Sequence, residues 1–107
     1  VKISDLFNFK KRVRTWRKLD QIKTEMQIIG RWHHSTRGFR VNSFRDSPSF
    51  QLWLQCIFIP NARRAAITGL YPKNSDVAVL AIREFDGCEN TDRLISLLAE
   101  FDDIAMS

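Results

Sequence analysis

The chain has 107 residues, 44% of them apolar and 27% charged, and carries a formal net charge of +5. That length suits one domain that buries roughly two thirds of the surface its unfolded form exposes, so folding needs neither a metal nor a disulfide. Val1 to Phe9 holds no continuous apolar stretch of the length a signal peptide needs. The apolar run from Ser47 falls short of the ~18 residues of a membrane span and contains Gln51 and Gln55, so a soluble, cytoplasmic protein without a membrane partner is expected.

In chain order, Ile3 to Ile29 contains no Gly or Pro and stops at Gly30, which predicts one long helix closed by a left-handed glycine. Its apolar residues, Leu6, Phe9, Val13, Trp16, Leu19, Ile22, Met26 and Ile29, recur at slightly under 3.6 residues, so the stripe drifts around the axis. Either the helix bends or breaks near Arg17 to Leu19, or its first half packs on something the second half does not meet, such as a second copy of the chain. The region is also basic. Up to Arg45 there are 12 basic residues against 3 acidic, a balance of +9, whereas from Asp46 onward 5 stand against 9, giving −4. The two halves can attract each other within one fold, or the basic half can face an anionic partner.

Gly30 to Arg45 shows no sustained period and reads as a long loop pinned by Trp32, Phe39 and Phe44. Between Asp46 and Arg63 there is no charged residue, so this run is the expected centre of the core. Ser47 is the expected N-cap and Pro48 the first helical residue. Phe50, Trp53, Leu54, Ile57 and Phe58 follow a helical spacing while Leu52, Cys56 and Ile59 cover the opposite side, predicting a helix buried nearly all round. Pro60 predicts a kink or break, with helix resuming to Gly69. Leu70 to Asn74 is a turn around Pro72, and Ser75 then offers an N-cap, with Asp76 in the first turn. Val77, Leu80, Ala81 and Phe85 form the inner face of this short helix, and Gly87 ends it. A last helix starts at Asn90 or Thr91 and buries Leu94, Leu97, Leu98, Phe101 and Ile104, with Asp92, Arg93, Glu100, Asp102 and Asp103 outside. No alternating strand pattern is present. The predicted fold is all-α, a small four-helix bundle around a central buried, Pro-interrupted helix, with residues 1–107 as a single domain.

Phe44, Asp46, Ser47, Phe50, Trp53, Leu54, Gln55, Ile57, Phe58, Ile59 and Pro60 together resemble the signature of the YqcC-like family of small helical bacterial proteins. That signature reads Phe-x-x-Asp-Thr, then Phe-x-x-Trp-Leu-Gln-x-Ile/Val-Phe-Ile/Leu-Pro. Weaker agreement extends to Trp32, to Leu70, Pro72 and Asn74, and to Leu97, Leu98 and Asp102. The resemblance implies a helical domain of unknown biochemical activity, sometimes labelled with the name of a tRNA pseudouridine synthase. Departures are Asn61 where the family has Arg, Leu80-Ala81-Ile82-Arg83 where it has Met-Ala-Glu-Glu, and a first helix more basic than the family's.

Candidate sites divide into two groups. Lys11, Arg14 and Lys18 share one side of the first helix, flanked by Lys10 and Arg17, and form a stripe able to follow a phosphate backbone without reading sequence. The plainer reading is a solvated face that meets the acidic second half. Asp46, Phe50, Trp53, Gln55 and Phe58 form either a pocket with two polar groups or a structural cluster in which Trp53 and Gln55 tie the loop or the Pro60 break to the core. His33 and His34 are adjacent and lack a third ligand at a recognisable spacing, so no metal is expected. Cys56 and Cys88 match no zinc or redox spacing and read as a buried and a surface thiol. No catalytic framework and no cofactor motif is present. The expected function is a non-enzymatic accessory or interaction protein that contacts a partner protein or a second copy, with nonspecific nucleic-acid binding through the first helix as the alternative.

Overall fold

The computed structural model describes residues 3–35 and 49–107. The first element, α1 (Ile3–Ile28), is one unbroken helix of 26 residues. It ends as the sequence requires: Gly30 takes φ 74, the Arg31 N–H donates to the Met26 carbonyl at 2.8 Å, and the Gly30 N–H donates to Gln27 at 3.2 Å. This pair of reverse bonds satisfies the last carbonyls, and glycine reaches the left-handed conformation without a Cβ clash. The helix does not break near Arg17 to Leu19. Leu19, Ile22 and Met26 are wholly buried, whereas Ile3, Leu6, Phe7 and Phe9 are 49–88% exposed, so only the second half of α1 enters the core.

Three helical segments follow one another without a gap: α2 (Phe50–Trp53), a π-helical turn (Leu54–Phe58) and α3 (Ile59–Thr68). Their N-cap is Ser49, whose hydroxyl accepts the Leu52 N–H at 3.3 Å, so the cap falls two residues beyond the Ser47 expected. Ser47 and Pro48 lie outside the described residues, as do Phe39, Phe44 and Asp46. Pro60 explains the π turn. In an α register its ring would crowd the carbonyl four residues back, at Cys56, and offer it no hydrogen. Instead the Ile59 N–H reaches the Leu54 carbonyl, five residues back, in a wider turn that accommodates the ring. Helical torsions run through Trp53, Leu54, Phe58 and Ile59, so the interruption is a local widening and the rod stays continuous. Burial is less complete than the apolar pattern implies. Phe50, Leu52, Leu54 and Ile59 are buried, but Trp53, Cys56, Ile57 and Phe58 are half-buried. The extra residue in the turn spreads the apolar side chains around the axis, and one side faces a groove described below.

Two shorter helices complete the fold, α4 (Val77–Glu84) and α5 (Asp92–Met106). Asp76 occupies the N-cap position of α4 without a capping bond of its own. The cap comes from α5: Asp102 Oδ1 accepts the Val77 N–H at 3.1 Å and Oδ2 accepts the Ala78 N–H at 2.9 Å, while the Ser75 hydroxyl donates to Oδ1 at 2.6 Å. Asp102, expected on the outer face, is therefore a half-buried link between helices. Every apolar residue of the expected α5 stripe is buried, and α4 buries Val77, Ala78 and Ala81. The core brings Leu19, Ile22 and Met26 together with Leu54, Ala81, Leu94 and Leu98. The fold is all-α, with four helical rods and no strand among the described residues.

Candidate functional site

The basic residues of α1 divide by what they touch. Lys11 Nζ donates to the carbonyls of Ala105 and Ser107, each at 2.9 Å, and lies 4.1 Å from the centre of the Tyr71 ring. It thus neutralises the negative end of α5. Arg12, which the sequence offered no reason to single out, does the same for α3. Its Nε donates to Ala66 at 2.6 Å and a terminal nitrogen donates to Ile67. Lys18 pairs with Glu100 at 2.6 Å. Lys11 and Lys18 therefore bridge α1 to α5. Lys10, Arg14 and Arg17 are exposed and make no hydrogen bond or ion pair among the described residues. Arg14, Arg17 and Lys18 line one side of a shallow hollow whose other side carries Glu100 and Asp103.

At 3.6 residues per turn, Lys10, Arg14 and Arg17 form one row along α1 and Leu6, Phe9, Val13 and Trp16 form the row beside it. Both rows point away from Leu19, Ile22 and Met26. Along the apolar row, Leu6, Phe9 and Trp16 are 49%, 61% and 40% exposed. Helix α3 runs antiparallel along the far side of this row. Arg63 stacks over Trp16, 4.5 Å from the ring centre, and donates to Asp20 at 2.9 Å, and a turn further on Arg12 meets Ala66 and Ile67. Ile67 itself is 61% exposed.

A second feature is a groove of about 730 Å³ between the helical rod and the segment leading into α4. Trp53, Ile57, Phe58, Tyr71, Val77 and Phe101 supply apolar walls, and Asn61, Arg64 and Asp76 are among its polar lining residues. Of the five residues grouped by sequence as a pocket, the four among the described residues do not all line it. Trp53 and Phe58 line it, but Phe50 packs behind Trp53, with ring centres 5.5 Å apart, and against Phe85 at 5.2 Å. Gln55 serves another purpose. Its Oε1 accepts the His33 N–H at 2.9 Å and its Nε2 donates to the His33 carbonyl at 2.7 Å. Gln51 accepts from Arg31 at 3.0 Å and contacts the His33 ring nitrogen at 3.2 Å, so the segment after α1 is fastened to the rod by two glutamines one turn apart. Asp46 is outside the described residues.

Cys56 is half-buried and Cys88 exposed. Among the described residues no group of three or more His, Cys, Asp or Glu side chains is placed to hold a metal ion, and no helix is long and apolar enough to cross a membrane.

Compared with known proteins, residues 14–104 match the family model DUF446, described as tRNA pseudouridine synthase C. Trp16, Arg14 and Arg17 fall within the match, and Leu6, Phe9, Lys10 and Val13 precede it. No curated protein and no solved structure matches the chain.

Proposed function

We propose that this chain, which belongs to the DUF446 or YqcC-like family, is a helical accessory module that docks a partner protein through the outer face of the first half of α1. The observation that carries this reading is the row Leu6, Phe9, Val13 and Trp16, with Leu6, Phe9 and Trp16 40–61% exposed on a helix that buries Leu19, Ile22 and Met26 on its opposite side. Single exposed apolar residues are ordinary, but a continuous row of large ones along a helix marks an interaction face. The family's description points to RNA modification, and the partner is then a component of that process.

A second reading is supported by a separate observation. Lys10, Arg14 and Arg17 have no partner among the described residues, and Phe7 and Phe9 beside them are 58% and 61% exposed. Free cations interleaved with accessible aromatic rings suit single-stranded nucleic acid, which combines phosphate neutralisation with base stacking. Light scattering behind size exclusion, with and without a mixed tRNA pool at low and moderate salt, separates the two. The docking module elutes unchanged by RNA at both salts. A mass increase with RNA at low salt that disappears at moderate salt favours the nucleic-acid reading and counts against the first.

A further inference from the structure

The same face also specifies the chemistry of what binds it. Resting on the docking reading above, we infer that the partner element is an acidic amphipathic helix of another protein.

The spacing i, i+3, i+7, i+10 of Leu6, Phe9, Val13 and Trp16 is the 3.5-residue repeat of a helix–helix seam. The seam is about 15 Å long at 1.5 Å per residue, enough to hold about three turns of a facing helix. It ends where Asp20 takes the next position of the row and is held by Arg63 at 2.9 Å. With Leu6 and Val13 at the first position of the repeat, Lys10 and Arg17 occupy the flanking position that faces a partner helix across the seam. Arg14 lies between them, one step further out. On the opposite flank Arg12 is spent on the carbonyls of Ala66 and Ile67, and only Asp5, at the end of the seam, is exposed. The open flank is therefore cationic: Lys10 is exposed, and Arg14 and Arg17 share a shallow hollow with Glu100 and Asp103 but form no ion pair with either among the described residues.

A second copy of this chain is a poor occupant. An isologous antiparallel pair of α1 helices sets Lys10 and Arg17 against the same residues of its mate, and like charges across a seam oppose association. A helix with apolar seam residues and Asp or Glu beside them meets both requirements, in the helix-in-groove mode of recognition.

The test uses the isotope-labelled full chain and three synthetic helical peptides that share one leucine seam and differ only in flanking residues: Glu, Gln or Lys. Amide shifts are followed at low and moderate salt. The Glu peptide is expected to bind about tenfold more tightly than the Lys peptide at low salt, with a smaller gap at moderate salt, and to shift Leu6, Phe9, Val13 and Trp16. Lys10→Glu with Arg17→Glu reverses the preference in favour of the Lys peptide, and Phe9→Ser removes binding of all three. Both substitutions are at exposed positions, and an unchanged amide spectrum elsewhere verifies the fold. Equal binding of all three peptides, lost in Phe9→Ser, overturns the acidic partner while leaving the docking face intact. Self-association of the chain through the same amides overturns it in favour of a second copy. No peptide binding, with an oligoribonucleotide or anionic vesicle shifting those amides instead, overturns both this inference and the docking reading.

Discussion

Individual side chains in this protein stabilise by closing backbone groups that helices leave open. Gln55 pairs with both backbone groups of His33, at 2.9 and 2.7 Å, and Gln55→Leu removes both of these bonds. The expected loss is about 1–2 kcal/mol in urea unfolding. Asp102 provides the two capping bonds of α4 that Asp76 does not. Asp102→Ala should therefore cost about 1–2 kcal/mol and release the amides of Val77 and Ala78 to faster exchange. A polar residue inside an apolar helix needs partners, so the role of Gln55 is legible in the pattern. The reach of Asp102 to another helix is not, because a residue on the edge of an amphipathic stripe looks solvated until the neighbouring helix is placed.

At the level of elements, the helices were legible because their periodicity and their glycine stops are local properties. The α1 stop at Gly30 and the α5 stripe follow from spacing alone. What happens at Pro60 did not, since a proline inside a helix permits a kink, a break or a wider turn, and packing on both sides selects among them. The cap at Ser49 rather than the expected Ser47 is not decided by spacing, because a serine at either position can accept a first-turn N–H. The junction after α3 offers a test of how closely elements fit. Gly69 has φ 75, and a Cβ there would lie 3.0 Å from the Asn8 side-chain nitrogen. Gly69→Ala combines a left-handed penalty with that close contact and is expected to lower stability by about 1–2 kcal/mol, read from thermal or urea melts.

At the scale of the whole molecule, the uneven charge is not consumed by ion pairs among the described residues. Of the ion pairs among the described residues, only Lys18 with Glu100 joins a base of the first half to an acid of the second; Arg63 with Asp20 and Arg93 with Glu25 run the other way. Lys11 and Arg12 end on backbone carbonyls instead. This leaves Lys10, Arg14 and Arg17 on the open face beside the apolar row. The drift of that row was visible in the spacing of α1, yet whether it meant a bent helix or an unfilled face required the positions of α3 and α5. Phe50 and Gln55 stand apart from the groove for a related reason: the grouping collected neighbours along the chain, whereas the groove is made by the rod and the segment from Leu70 to Val77.

The central claim is that the first half of α1 carries its apolar row for contact and not for folding. The direct measurement is the unfolding free energy of Leu6→Ser with Phe9→Ser. Leu6 and Phe9 are 49% and 61% exposed, so the expected change is within about 0.5 kcal/mol of the parent chain, with the helical signal retained. A loss of more than about 2 kcal/mol would show that these residues hold the fold together and would contradict the docking face.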